Sequence, residues 1–406
     1  MSMLYNAYEF GSDLAGLSRA FGGVINQSLS PWMANGSRSF AALPNAIGTM
    51  MSRSGLTHSR PAYGIDEVMV GNRLVPVVEE TAFTAPFGAL THFSKDVDTR
   101  QPKVLVVAPL SGHFATLLRH TIKTLLSDHD VYVTDWVNAR DVPLEAGRFG
   151  FDEYVDHVVK FLEEIGPGTH VVAVCQPAVQ ALAASALMAE TGNAAHPASM
   201  TLMAGPVDVS VNPTKVNRLA NDKPISWFQD NLIKEVPSRY AGRGRKVYPG
   251  FIQLMAFMSM NAGRHITGHS DLFWAHVEGE TEKALQISTF YDEYFAILDL
   301  AAEFYLETVK MVFQDNDLAN NRLLYRGQKL DMRAIKRTSL MTVEGERDDI
   351  CAVGQTVAAQ DLCSSLKPFK KRHHLQAGVG HYGVFSGRKW EAQVYPRVQN
   401  FILAND

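Results

Sequence analysis

The chain has 406 residues, of which 46% are hydrophobic and 20% are charged, and its formal net charge is −4. This composition is that of an ordinary globular protein, which excludes a disordered chain, a collagen and a coiled-coil rod. The slightly acidic charge also argues against a nucleic-acid-binding protein, since such proteins are usually basic.

The N-terminal segment lacks the pattern of a targeting signal. Its first basic residue is Arg19, whereas a secretory signal begins with basic residues followed by an apolar run. No run of 18 or more uncharged apolar residues occurs, so we expect no membrane-spanning helix. The three cysteines, Cys175, Cys351 and Cys363, are too few for a disulfide framework and fit a reducing compartment. We therefore expect a cytoplasmic protein.

Short β-rich runs alternate with helical patterns in the first half of the chain. Residues 68–83 show the alternation of strands. Four apolar runs then have the character of buried parallel strands, namely residues 103–110, 130–137, 170–175 and 200–208. Helical patterns separate them over residues 114–127, 152–165 and 178–191. The alternation predicts an α/β protein with a mostly parallel, doubly wound sheet.

The alternation stops after the fourth run, and a stretch rich in methionine and aromatic residues follows. Its apolar segments, residues 248–261 and 290–314, predict helices. Strand patterns resume over residues 338–345 and 374–380, and a helix over residues 390–403 ends the chain. The predicted organisation has four parts: a helical arm (1–66), the first part of an α/β core (67–211), an inserted helical cap or lid (212–330) and the second part of the core (331–406).

The strand predicted over residues 170–175 ends at Cys175, and a helix begins at once. A buried strand, a sharp turn and a helix make up a nucleophile elbow, in which the turn lifts the nucleophile above the sheet. The compact residues Ala173 and Pro177 stand where glycines are common. The helix N-terminus favours a reactive thiolate. Cys175 is therefore the candidate nucleophile, and the alternative is a small buried hydrophobe.

The loops after the last two predicted strands supply an acid and a histidine. Asp348 and Asp349 follow one strand, and His381 lies in a glycine-rich loop after the other. The order nucleophile, acid, histidine is that of α/β hydrolases. In such a triad the histidine takes the proton of the nucleophile, and the acid orients the imidazole. Either aspartate could be the acid.

Acyl transfer also needs main-chain N–H donors for the negative charge that forms on the carbonyl oxygen. One predicted donor is Gln176, which follows the nucleophile. The other is Leu110 or Ser111, in the loop over residues 108–113. His113 in the same loop is a candidate for substrate contact, with a structural role as the alternative.

Several segments resemble intracellular poly(3-hydroxybutyrate) (PHB) depolymerases. The similar segments are V-C-Q-P (Val174–Pro177), A-P-L-S-G-H-F-A-T-L-L-R (Ala108–Arg119), D-W-x-N-A-R (Asp135–Arg140), V-E-G-E-x-D-D-I (Val343–Ile350), G-V-G-H-Y-G-V-F-S-G (Gly378–Gly387) and M-L-Y-N-A-Y-E (Met3–Glu9). The resemblance covers nearly the whole chain.

The resemblance implies an α/β-hydrolase fold and hydrolysis of amorphous intracellular polyester to 3-hydroxybutyrate and oligomers through a thioester acyl-enzyme. It implies that Cys175 is the nucleophile, Asp348 the acid and His381 the base. Asp348 is favoured because the D-x-I spacing resembles the acid loop of polyester synthases. The implied partner is the surface of a polyester granule in the cytoplasm.

The insertion supplies candidates for substrate contact in Trp227, Phe228 and Phe251, because a polyester granule is an apolar surface. Clusters with metal-ligand spacing do not occur, so no metal or organic cofactor is expected. Cys351 and Cys363 are predicted to be structural. The sequence leaves the oligomeric state open, a homo-oligomer included.

Two other function classes remain open. An acyltransferase, either similar to a polyester synthase or a depolymerase that passes the acyl group to coenzyme A, would use the same thioester. A non-catalytic granule-coating protein could retain the scaffold of a hydrolase. Coenzyme A dependence and the behaviour of a Cys175→Ala variant distinguish these classes from a hydrolase.

Overall fold

The computed structural model describes Tyr5, residues 57–260 and residues 262–406. The helical arm predicted over residues 1–66 therefore lies mostly outside the described residues. Tyr5 itself is buried, and its hydroxyl donates a hydrogen bond to the buried carboxylate of Asp299.

The strands of the described residues form one large sheet and two small ones. In chain order they are β1 (Glu67–Val70), β2 (Arg73–Ala85), β3 (Gly88–Lys95), β4 (Lys103–Val107), β5 (Asp130–Trp136), β6 (His170–Val174), β7 (Ser199–Met203), β8 (Lys234–Glu235), β9 (Lys246–Tyr248), β10 (Leu300–Ala301), β11 (Leu324–Tyr325), β12 (Gln328–Lys329), β13 (Ser339–Gly345) and β14 (Lys371–Gln376).

The large sheet has nine strands in the order β1-β2-β3-β5-β4-β6-β7-β13-β14. The pairs from β5 to β14 are parallel, and the pairs that join β1, β2, β3 and β5 are antiparallel. The predicted mostly parallel sheet is confirmed. Strands β4 and β6 lie at the centre of the sheet. The candidate nucleophile Cys175 directly follows the end of β6.

Helices lie between the strands and in the long connection from β7 to β13. In chain order they are α1 (Arg119–Leu125), α2 (Phe151–Ile165), α3 (Ala178–Glu190), α4 (Lys215–Asn221), α5 (Ile225–Leu232), α6 (Gly250–Met260), α7 (Ala262–Glu278), α8 (Thr281–Tyr294), α9 (Ala302–Glu307), α10 (Ala359–Leu362) and α11 (Tyr395–Leu403). A π-helical turn over Thr308–Gln314 continues α9, and another over Trp390–Val394 precedes α11.

Three predicted elements differ from the observed ones. The helix predicted over residues 290–314 is broken, because Ala296–Ala301 leaves α8 as buried extended chain that ends in β10. Strand β3, which carries the polar residues His92, Ser94 and Lys95, was not predicted. The last strand runs over Lys371–Gln376 rather than 374–380, since its first residues are exposed and basic. In each case pairing with neighbouring chain outweighs the local pattern.

The core lies on both faces of the central strands. Strands β6, β7 and β13 are buried along their entire lengths, as their continuous apolar runs predict. Each buried Val or Leu side chain contributes about 1.5–3 kcal/mol relative to exposure. Helix α3 packs so closely on the chain after β7 that a Cβ atom at Gly205 would overlap the Cβ of Ala178 and lie 3.0 Å from the carbonyl oxygen of Cys175.

Replacing Gly205 with alanine should therefore lower the free energy of unfolding by about 3 kcal/mol, the upper range for overpacking a core. The control is Gly192→Ala, where φ is +66° and no atom lies near the added Cβ. That variant should lose about 1 kcal/mol, the cost of a left-handed backbone. Chemical denaturation of both variants measures the difference, and equal losses would contradict the close packing inferred at Gly205.

Candidate active site

Cys175 occupies a strained turn between β6 and α3. Its φ is +67°, a left-handed conformation that L-residues rarely adopt. Its N–H donates to the carbonyl oxygen of Met203 at 2.7 Å, and its own carbonyl oxygen accepts from the N–H of Ala178 at 3.1 Å. The backbone strain costs about 1–2 kcal/mol. The predicted elbow is present, and the side chain of Cys175 is only partly buried.

His381 and Asp348 form a buried pair after the ends of β14 and β13. The distance from His381 Nδ1 to Asp348 Oδ2 is 2.8 Å, and the two side chains are 6% and 0% exposed. The other carboxylate oxygen of Asp348 accepts from the N–H groups of Ile350 and Cys351 at 2.9 and 2.8 Å. These three contacts fix the carboxylate toward the imidazole ring. The neighbouring Asp349 is exposed, so burial distinguishes the two aspartates, between which the sequence favoured Asp348 by resemblance alone.

The charge state of His381 depends on its two acidic neighbours. Burial of the ring lowers the pKa of His381, but the Cys175 thiolate and the Asp348 carboxylate raise it by more, partly through hydrogen bonds. The net pKa lies well above the usual value of 6.5. An imidazole that interacts with both a cysteine and a carboxylate is the arrangement that activates a cysteine nucleophile.

The loop that carries Asp348 is attached to the chain beneath Cys175. The buried carboxylate of Glu344 accepts from the N–H groups of Gly354, Thr356 and Val357 at 3.0, 2.8 and 2.8 Å. The Thr356 hydroxyl accepts from the Gly205 N–H at 2.9 Å and donates to the Gly205 carbonyl oxygen at 3.0 Å. Gly205 is the residue that packs against the elbow. Thr356 thereby connects the acid loop to the nucleophile loop.

A cavity of about 220 Å³ opens beside Cys175. Most of its lining residues are apolar, and they come from the loops after β4, β6 and β13 and from the insertion between β7 and β13. They are Leu110, Ser111, Cys175, Gln176, Val216, Leu219, Ala220, Phe228, Tyr248, Gln253, Ala256, Leu300, Phe304, Tyr305, Thr308, Val309, Phe313 and Ile350. Such a cavity is suited to an acyl chain.

The three predicted oxyanion donors all line this cavity. Within the described part of the chain, the N–H groups of Leu110, Ser111 and Gln176 donate to no protein acceptor. The carbonyl oxygen of Ser111 accepts from Nε2 of Gln253 on α6. Gln253 could not be predicted from the sequence, because one glutamine in an apolar helix has no distinctive spacing. Tyr248 and Thr308 could not be predicted either, because long-range packing of the insertion brings them to the cavity.

Of the predicted substrate contacts, only Phe228 lines the cavity. His113 is buried, its Nε2 lies 3.1 Å from the carbonyl oxygen of Tyr294, and burial lowers its pKa to about 4. Trp227 is 38% exposed and contacts Phe228 edge-on. Phe251 is buried, with its ring edge-on to that of Tyr5. Substrate contact by His113, Trp227 and Phe251 stays a prediction.

The described residues contain neither a candidate metal site nor a candidate membrane-spanning helix. His, Cys, Asp and Glu side chains in this part of the chain form no group of three or more that could hold a metal ion. No helix in the same part of the chain has the length and apolar character needed to cross a bilayer.

A family model described as "PHB de-polymerase C-terminus" matches residues 204–406, half of the chain. The matched half contains Asp348 and His381, and Cys175 precedes it. A search of curated proteins found no match.

Solved structures of hydrolases are similar at low identity. The α/β hydrolase GrgF from Penicillium sp. sh18 has a TM-score of 0.45 and 15% identity, with 82% of this chain and 98% of that chain covered. The 2-hydroxy-6-oxo-6-phenylhexa-2,4-dienoate hydrolase from Rhodococcus sp. strain RHA1 has a TM-score of 0.43 and 12% identity, with 81% of this chain and 99% of that chain covered. A monoacylglycerol lipase from Paleococcus ferrophilus has a TM-score of 0.43 and 11% identity, with 75% of this chain and 96% of that chain covered. The mostly parallel sheet, the turn of Cys175 between strand and helix, and the family match together show the α/β-hydrolase fold that the sequence predicted.

An Asp348→Asn variant should lower the pKa of His381, because it removes the carboxylate charge that favours the imidazolium. In the wild type, His381 should lose its proton well above pH 6.5. NMR titration of histidine-labelled protein measures this, with the signal assigned by its absence in His381→Gln. Asp349→Asn is the matched control and should leave the titration unchanged. An equal effect of both substitutions would contradict the assignment of Asp348.

Thr356→Val should lower the free energy of unfolding by about 2 kcal/mol, because it leaves the buried N–H of Gly205 without a partner. It also removes one of the two donors to the Gly205 carbonyl oxygen, which still accepts from the N–H of Val207. Thr201→Val makes the same change at an equally buried residue of β7, whose hydroxyl has no partner among the described residues. That control should change stability by less than about 0.5 kcal/mol. Denaturant titration compares the two variants, and similar costs would show that the Thr356 bridge contributes little.

Proposed function

The chain belongs to the PHB depolymerase family whose C-terminal model it matches, and we propose that it hydrolyses ester bonds of amorphous PHB through Cys175, His381 and Asp348. Ester hydrolysis is the activity that the family and the α/β-hydrolase fold support. The observation that carries the proposal is the buried Asp348–His381 pair, with the Nδ1–Oδ2 distance of 2.8 Å, beside the strained elbow of Cys175.

In the first half of the reaction, His381 holds the proton of the Cys175 thiol. The thiolate attacks the ester carbonyl, and the charge on the carbonyl oxygen is stabilised by N–H groups. We assign these to Gln176 and to Leu110 or Ser111, which donate to no other protein acceptor in the described chain. His381 then protonates the leaving alcohol, and a thioester on Cys175 remains.

In the second half, His381 takes a proton from water, which attacks the thioester. Asp348 orients the imidazole throughout and stabilises its charged form. The hydroxy acid then leaves, which restores the Cys175 thiolate beside the protonated His381. The apolar cavity beside Cys175 holds the acyl chain.

Membership of the family also supports a proposal for the substrate and the location of the protein. We place the protein in the cytoplasm at the surface of PHB granules, where 3-hydroxybutyrate and oligomers are released. The apolar lining of the cavity supports an acyl substrate of low polarity. Its volume of about 220 Å³ admits a short acyl segment rather than a folded polymer.

The test is release of 3-hydroxybutyrate from native amorphous PHB granules, with and without coenzyme A. The wild-type protein should release acid without coenzyme A. Cys175→Ala should be at least about 10³-fold slower, as expected for loss of a nucleophile. The control Cys363→Ala removes a fully buried thiol that does not line the cavity, and it should retain activity within about threefold.

Other outcomes would replace the proposal. A requirement for coenzyme A would make the protein an acyltransferase. Equal activity of wild type and Cys175→Ala would exclude Cys175 as the nucleophile. Granule binding with no acid release by any variant would indicate a non-catalytic coating protein.

A further inference from the structure

Three polar side chains of the cavity wall have hydrogen-bonding atoms that no described residue satisfies. These atoms are Oε1 and Nε2 of Gln176, Oε1 of Gln253 and Oγ1 of Thr308. The three residues are 8%, 9% and 7% exposed, respectively. Buried polar atoms without a partner are uncommon in proteins, and each needs an explanation.

Other polar groups around the cavity do have partners. The rings of Tyr248 and Tyr305 stack with their centroids 3.9 Å apart, and their hydroxyls interact. Nε2 of Gln253 donates to the carbonyl oxygen of Ser111. The unsatisfied atoms are thus confined to a few places in an otherwise apolar wall. A plain hydrocarbon chain in this cavity would leave all of them without partners.

Thr308 has a second unusual feature. It begins the π-helical turn Thr308–Gln314, and single π-helical turns occur frequently at functional sites. A threonine inside a helix usually bonds its hydroxyl to a carbonyl of the preceding turn. The Thr308 hydroxyl makes no such bond, although Thr308 lines the cavity.

We propose that Gln176 and Thr308 determine specificity by hydrogen-bonding an oxygen substituent on the acyl chain of the substrate. This inference rests on the proposed ester hydrolysis at Cys175, the residue next to Gln176. The amide Nε2 of Gln176 donates to that oxygen, and the Thr308 hydroxyl accepts when the oxygen carries a proton. Acyl groups with such an oxygen are preferred over unsubstituted acyl groups of the same length.

The oxygen has two possible sources, a free hydroxyl at a chain end or the next ester group of a polymer. Three ethyl esters distinguish them: butyrate without the oxygen, 3-hydroxybutyrate with a free hydroxyl, and 3-acetoxybutyrate with an ester oxygen. The measurement is kcat/KM for each ester, expressed as a ratio to butyrate, so that general changes in activity cancel.

The wild type should favour one or both oxygen-bearing esters over butyrate. Gln176→Met and Thr308→Val should each lower that ratio by about tenfold, since an enzyme site that bonds a polar group discriminates strongly against its absence. Thr308→Ser keeps the hydroxyl and should keep the ratio. Thr201→Val removes a buried, unpartnered hydroxyl outside the cavity lining and should also leave the ratio unchanged.

Each outcome bears on the inference. A lower ratio for 3-hydroxybutyrate alone supports recognition of a free hydroxyl, and a lower ratio for both esters supports recognition of an ester oxygen. A wild type without preference, or variants that slow all three esters by the same factor, would overturn the inference and leave ester hydrolysis standing. No hydrolysis of any ester or of granules by the wild type would instead overturn the proposed function, and the inference with it.

Discussion

The left-handed backbone of Cys175 is the constraint on which the rest of the site depends. A φ of +67° places the thiol above the sheet, and the surrounding chain maintains it at a cost of about 1–2 kcal/mol. The N–H of Cys175 is bonded to Met203 at the end of β7, and Gly205 passes directly against the carbonyl of the turn. Burial of the strands on either side exceeds the cost of the turn. The reactive geometry is therefore stabilised by the core rather than by local preference.

The acid side of the site depends on the same segment of chain. Ala204, which also has a positive φ of 51°, donates to the carbonyl oxygen of Val343 in β13 at 2.9 Å. The next residue, Gly205, is bridged by Thr356 to the loop that holds Asp348. One short stretch of chain thus contacts the nucleophile turn on one side and the acid loop on the other. Displacement of either loop would be transmitted to the other through a few buried hydrogen bonds.

The sequence predicted most of the framework and supplied the candidate residues of the site. Continuous apolar runs mark strands buried on both faces, so β4, β5, β6, β7 and β13 could be located. The order of Cys175, Asp348 and His381 could be read because each follows a predicted strand. The preference for Asp348 over Asp349 rested on the D-x-I resemblance alone, and a physical reason for it, the burial of Asp348 and the exposure of Asp349, needed the fold. The broken helix over residues 290–314 and the cavity wall could not be predicted, since both depend on long-range packing between segments that are apolar on every side.

The sheet also has a consequence for the chain while it is being synthesised. Strand β13, which pairs in parallel with β7, is separated from it by the whole insertion. Until β13 emerges, β7 presents an unpaired edge flanked by apolar faces, and such edges are templates for association with other chains. Pairing between distant parallel strands is also slow. The nascent chain therefore carries Cys175 on an incomplete sheet, and the elbow reaches its final form only when the last strands, with Asp348 and His381, close the gap.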